Sequence, residues 1–146
     1  MGRPRTLGYA SPVARILLVT DADRILDEVE AAVGGEHELF RAWAGAEVLG
    51  AVGQVHPDLV LLDLQIGNMG GMATCLDLRL EARAGRIEPV KVLMLLDRDA
   101  DVFLARRAEA DGWLVKPLTS LALRRAVRGA LEPTGDAEST ADTVDA

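Results

Sequence analysis

Three charged side chains each follow an apolar run of strand length: Asp21 after Arg15–Val19, Asp63 after residues 59–62, and Lys116 after Gly112–Val115. Two carboxylates and an ammonium gathered at one place can perform phosphoryl transfer. The two acids can share a hard divalent cation such as Mg²⁺, which accepts a few carboxylates and keeps several waters. The cation and the lysine would then neutralise charge on a phosphoryl group attached to Asp63. Each residue also has a plainer reading. Asp63 can simply end a strand before the turn residues Gly67, Gly70 and Gly71, and Asp21 can cap a helix, although Asp23 is also well placed as that N-cap. Lys116 can be a solvated strand end, but a lysine closing a buried strand is costly unless its charge is paired.

Bringing the three together requires a particular scaffold. Residues 59–62, Leu59-Val60-Leu61-Leu62, are continuously apolar, as expected of a strand covered by helices on both faces. Four further strand-like runs, Arg15–Val19, Glu38–Ala42, residues 90–96 and Gly112–Val115, alternate with amphipathic segments, which predicts successive β-α units around a parallel sheet. Glu38–Ala42 is partly polar, as an edge strand should be. Helices are predicted after Asp23, over residues 46–55, over 72–84, over 102–109 built on Val102, Phe103 and Ala105, and over 121–131 with Leu123 and Val127 inward and Arg124, Arg125 and Arg128 outward. If the first strand lies between the second and third, the three charged residues share the crevice beyond the carboxyl ends of the strands, where open α/β sheets bind ligands.

Composition narrows the alternatives. The 146 residues suffice for one ordinary domain. Sixteen basic against 23 acidic residues give a net charge of -7, which disfavours a general nucleic-acid binder. No apolar segment is long enough to span a membrane. The single cysteine, Cys75, cannot form an internal disulfide and fits a reducing, cytoplasmic setting; in its helix, among Met72, Leu76 and Leu80, it reads as core filler. Lys91 and Lys116 are the only lysines, a bias expected of GC-rich bacterial coding sequence. His37 and His56 stand apart from each other and from other ligating residues, so neither is assigned to a metal. Residues 1–14 are expected to be a flexible extension and 132–146 a disordered acidic tail, since the latter has little apolar content and no basic residue.

On these residues the chain resembles the receiver domains of two-component response regulators. The resemblance covers residues 15–131 and rests on Ile16-Leu17-Leu18-Val19-Thr20-Asp21, on Leu59-Val60-Leu61-Leu62-Asp63 with Gly71, and on Lys116-Pro117. It implies a flavodoxin-like (βα)5 doubly wound α/β sandwich with strand order 2-1-3-4-5, acting in signalling rather than as an enzyme. It further implies Asp63 as phosphoacceptor, Lys116 as the phosphoryl contact, and Mg²⁺ held by Asp21, Asp63 and the backbone carbonyl of Gln65. The implied phosphodonor is a histidine kinase or phosphotransfer protein. Lys116-Pro117 matches a peptide bond that is cis in the family, and Trp113 occupies its switch-aromatic position.

The chain also departs from the family. Thr20 replaces the first of two usual acids, Leu96 replaces the usual Thr or Ser closing the fourth strand, and Gly67 replaces a proline. The segment from residue 96 to 116 is about two residues shorter than usual on the β-α pattern. Loss of one acid should weaken Mg²⁺ binding, and Leu96 cannot hydrogen-bond a phosphoryl oxygen. The expectation is therefore an atypical single-domain receiver whose output runs through protein contact, with dimerisation through the last helix open to it. Direct transcription control is not expected, because no DNA-binding pattern follows Leu131. Two alternatives stand beside this reading: a phosphorylation-independent interaction module, and a small flavodoxin-like cofactor binder. The second lacks a Gly-rich phosphate loop after the first strand, where acidic Thr20-Asp21-Ala22-Asp23 stands instead.

Overall fold

The computed structural model describes residues 13–67 and 69–133. The expected N-terminal extension and acidic tail lie almost wholly outside the described residues. Within them, five strands alternate with five α-helices: β1 (Arg15–Val19), α1 (Asp23–Val33), β2 (Glu38–Ala42), α2 (Val48–Val55), β3 (Leu59–Asp63), α3 (Gly71–Arg83), β4 (Lys91–Leu96), α4 (Val102–Arg107), β5 (Gly112–Val115) and α5 (Ser120–Leu131). Short 3-10 turns at Gly45–Glu47 and Asp99–Asp101 lead into α2 and α4. All strand pairs are parallel and the order is β2-β1-β3-β4-β5, as expected.

Strand side chains alternate between two cores. Ile16 and Leu18 of β1, Leu59 and Leu61 of β3, and Leu93 and Leu95 of β4 pack against Ile25 and Val29 of α1 and Leu123 and Val127 of α5. Leu17, Val19, Val60, Leu62, Val92, Met94 and Leu96 face the opposite layer, where Val52 of α2, Cys75 and Leu78 of α3 and Ala105 of α4 cover them. Every residue of β3 is buried, so its last side chain, Asp63, is carried into the protein rather than out to water.

Three local expectations are corrected by the structure. The N-cap of α1 is Ala22, not Asp23; Asp23 is the first helical residue and its carboxylate pairs with Arg41 instead. Phe103 is exposed, whereas Val102 and Ala105 face the core, because residues 103 and 105 are about 200° apart around a helix and cannot share one face. Leu76 and Leu80 are also exposed, and the buried stripe of α3 runs through Gly71, Thr74, Cys75 and Leu78.

Candidate functional site

Asp63 is the centre of a cluster at the carboxyl ends of β1, β3, β4 and β5, with three hydrogen-bond partners of its own. Its Oδ1 accepts hydrogen bonds from Lys116 Nζ at 2.7 Å and from the backbone N–H of Gln65 at 3.2 Å. Its Oδ2 accepts from the hydroxyl of Thr20 at 2.7 Å. Thr20 is itself fully buried, and its oxygen accepts the N–H of Ala22 at 3.1 Å, so the hydroxyl is held in place from both sides. A buried carboxylate requires such partners, since stripping it of water without them would be prohibitive.

The fold supplies each partner. β1 is paired with β3 in register, with Val19 opposite Leu62, which places Thr20 beside Asp63. β5 lies beyond β4, and the stem of Lys116 spans β4 to reach β3; the backbone N–H of Lys116 is tied to Leu96 O at 2.7 Å. The Lys116-Pro117 peptide is cis. Gly71 opens α3 directly over the end of β3: a Cβ there would stand 2.6 Å from the carbonyl oxygen of Asp63 and 2.8 Å from Leu64 Cα, so no side chain fits.

Lys116 has a second acid. Asp97, the residue immediately after β4, places Oδ1 3.0 Å from Lys116 Nζ. Burial by itself would lower the ammonium's pKa; the hydrogen bonds to Asp63 and Asp97 outweigh it and leave the pKa raised, so the lysine stays charged. Asp21 is different in kind. Its side chain is exposed at the rim, with Oδ2 accepting the N–H of Gly67 at 3.3 Å. Gln65 is likewise exposed, Leu96 is fully buried, and Trp113 is partly buried with the Arg106 guanidinium 5.3 Å from its ring centroid.

A family model for the response regulator receiver domain matches residues 16–128. The chain belongs to that family. The DNA-binding response regulator MtrA of Mycolicibacterium paratuberculosis is 31% identical over 123 residues, which are 84% of this chain and 53% of MtrA. The transcriptional regulatory protein AfsQ1 of Streptomyces coelicolor is 28% identical over 128 residues, 86% of this chain and 54% of AfsQ1. The receiver thus spans about half the length of the curated relatives it matches. Among solved structures, a response regulator from Chloroflexus aurantiacus superposes with a TM-score of 0.74 at 24% identity, over 82% of this chain and 98% of that one. The chemotaxis response regulator CheY4 of Vibrio cholerae does so at 0.71 and 23% identity, over 82% and 100%. These likenesses establish the fold.

Receiver domains are generally non-catalytic signalling modules that bind Mg²⁺ beside the phosphorylated residue. In this receiver the available donors are hard oxygens, which suits Mg²⁺, but they are few. No group of three His, Cys, Asp or Glu side chains that could hold a metal occurs among the described residues. Asp63 Oδ2, moreover, is already engaged by a neutral hydroxyl where a second acid would add charge. The set fits an ion that keeps most of its own waters.

Two residues of the cluster were not expected from sequence. Thr20 reads there only as a lost acid, yet its hydroxyl bonds the central carboxylate. Asp97 is absent from the expected site, although it follows the fourth apolar run just as Asp63 and Lys116 follow theirs, a signal that could have found it. Arg41 also braces the site: its Nε donates to Thr20 O at 3.1 Å and its Nη1 to Asp23 Oδ1 at 3.0 Å, while the guanidinium stacks 3.5 Å from the Trp43 ring centroid. Nothing in the pattern of the edge strand β2 announces that role. His37 serves structure, its Nδ1 accepting the N–H of Ala14 at 3.0 Å.

Proposed function

We propose that this response regulator receiver accepts a phosphoryl group on Asp63 from a phosphohistidine of a histidine kinase or phosphotransfer protein, in the cytoplasm, and signals through protein contact. The observation that carries the reading is the Lys116–Asp63 pair, 2.7 Å between Nζ and Oδ1, at the strand ends of a receiver fold. Asp63 provides the nucleophilic oxygen. Lys116 offers its charge to the arriving phosphoryl oxygens, and the Gln65 N–H and Thr20 hydroxyl orient the carboxylate. Asp21, Asp63 and the Gln65 carbonyl would hold Mg²⁺, whose charge offsets that of the phosphoryl group when it is bound. Residues 15–131 form the receiver in this reading, with 1–14 and 132–146 as flanking segments. Output would use the face of α4, β5 and α5, and α5 would serve if the chain dimerises.

The receiver is atypical in its readout. Leu96, with no side-chain donor, stands where a hydroxyl would follow the phosphoryl group, so phosphorylation would reach Trp113 weakly. One observation favours a second reading, a phosphorylation-independent interaction module: both oxygens of Asp63 already have side-chain partners within the protein. Reaction with a small acyl phosphodonor, borohydride reduction and peptide mapping separate the two. The phosphoacceptor reading expects the reduced product at Asp63; modification elsewhere, or none, favours the module.

A further inference from the structure

We propose that Asp97 is an internal anion that occupies Lys116 and so restrains phosphorylation of Asp63; this rests on the reading of Asp63 as phosphoacceptor. The geometry is specific. Asp97 follows Leu96 at the end of β4, the strand whose Leu95 is in register with Asp63. One of its oxygens lies 3.0 Å from Lys116 Nζ, and the other is buried with no hydrogen-bond partner among the described residues. An exposed ornamental ion pair would leave that second oxygen in water. Here Lys116 forms ion pairs with both Asp97 and Asp63, and its side chain is only 16% exposed.

An ammonium has three protons to donate. Asp63 takes one and Asp97 another, leaving one for a phosphoryl oxygen. In the transfer from acetyl phosphate, an Asp63 oxygen forms the new O–P bond while the donor's P–O bond breaks and its electron pair leaves with acetate. No proton needs to move. The phosphoryl oxygens must then settle on an ammonium that already holds a second carboxylate within hydrogen-bond distance. Like charges so close oppose the arrival. Leu96 offers no hydroxyl to offset that repulsion. Asp97 thus slows reaction with small phosphodonors without preventing it, and a donor positioned by its own protein contacts is slowed less, which makes Asp97 a specificity device.

The test uses the full chain at one fixed Mg²⁺ concentration with acetyl phosphate, following the initial rate of phosphoryl addition by intact mass. Asp97→Ala removes the charge without adding a donor, and Asp97→Asn keeps the shape. Both should speed the reaction by about tenfold or more, equivalent to roughly 1.4 kcal/mol. Asp99→Ala, which removes the same charge from the neighbouring turn, should leave the rate unchanged. A second readout needs no covalent step: inorganic phosphate, titrated against the amide resonances around Lys116, should bind more tightly to both Asp97 variants. Unchanged or slower phosphorylation in the Asp97 variants, or equal acceleration by Asp99→Ala, overturns the proposal. If no chain forms an adduct, the phosphoacceptor reading fails, and the phosphate titration alone decides Asp97: tighter binding supports its role as a competing anion, and equal binding refutes it.

Discussion

The hydroxyl of Thr20 donates to Asp63 Oδ2 across 2.7 Å, with both residues fully buried. The bond converts a position that would add negative charge into one that satisfies it. Thr20→Val, which keeps the shape and deletes the hydroxyl, should lower stability by about 2 kcal/mol, the scale of a hydrogen bond to a charged group. Thr20→Asp should do the opposite to the metal. It should tighten Mg²⁺ binding by about tenfold or more while lowering the metal-free melting temperature, because two buried carboxylates then repel each other. Calorimetric titration and thermal melts with and without Mg²⁺ check both; unchanged Mg²⁺ affinity would mean that this position does not face the ion.

Lys116 and Asp63 form the most buried ion pair of the described site, with side chains 16% and 1% exposed. Removing one partner of such a pair leaves an uncompensated charge. Lys116→Met should therefore destabilise by about 3 kcal/mol, and Lys116→Met combined with Asp63→Asn by clearly less than the sum of the single changes. Urea unfolding of the four proteins measures the coupling. Additive losses would show that the pair contributes little beyond its geometry.

Leu96 closes β4 with no exposure at all. Leu96→Thr supplies the hydroxyl the receiver lacks, at a cost of about 1–3 kcal/mol for the buried polar group and lost packing. In a Trp43→Phe background, phosphodonor and Mg²⁺ should change Trp113 fluorescence more in Leu96→Thr than in the parent. Equal responses would show that Trp113 does not depend on a hydroxyl at the end of β4.

Cys75 lies inside the core and its Sγ donates to Ala108 O at 3.2 Å. Burial pushes the thiol up to about 11, so the neutral form persists in mildly alkaline buffer. A thiol reagent should leave the native protein unlabelled and label it once unfolded. Rapid native labelling would contradict the packing of α3 against α4.

The fold was legible because its signals are periodic. The unbroken apolar run before Asp63, the polar edge strand and the alternation with helices point to a parallel sheet covered on both faces, and the family resemblance supplied its strand order. The placement of Asp63 beside Lys116 followed from strand order alone. Thr20, Asp97 and Arg41 were harder, because their roles depend on which side chain across the sheet each one meets. A threonine after β1 has the same sequence appearance whether its hydroxyl faces a carboxylate or a carbonyl. Phe103 was misplaced for a local reason: a six-residue helix offers too few turns for the apolar stripe to reveal its face.

The most direct measurement of the central claim is intact-mass analysis of the purified chain after incubation with Mg²⁺ and acetyl phosphate, beside Asp63→Asn treated identically. The account predicts the mass of a single added phosphoryl group on the parent chain and none on the variant. An unmodified parent, or an adduct that persists in Asp63→Asn, would contradict it.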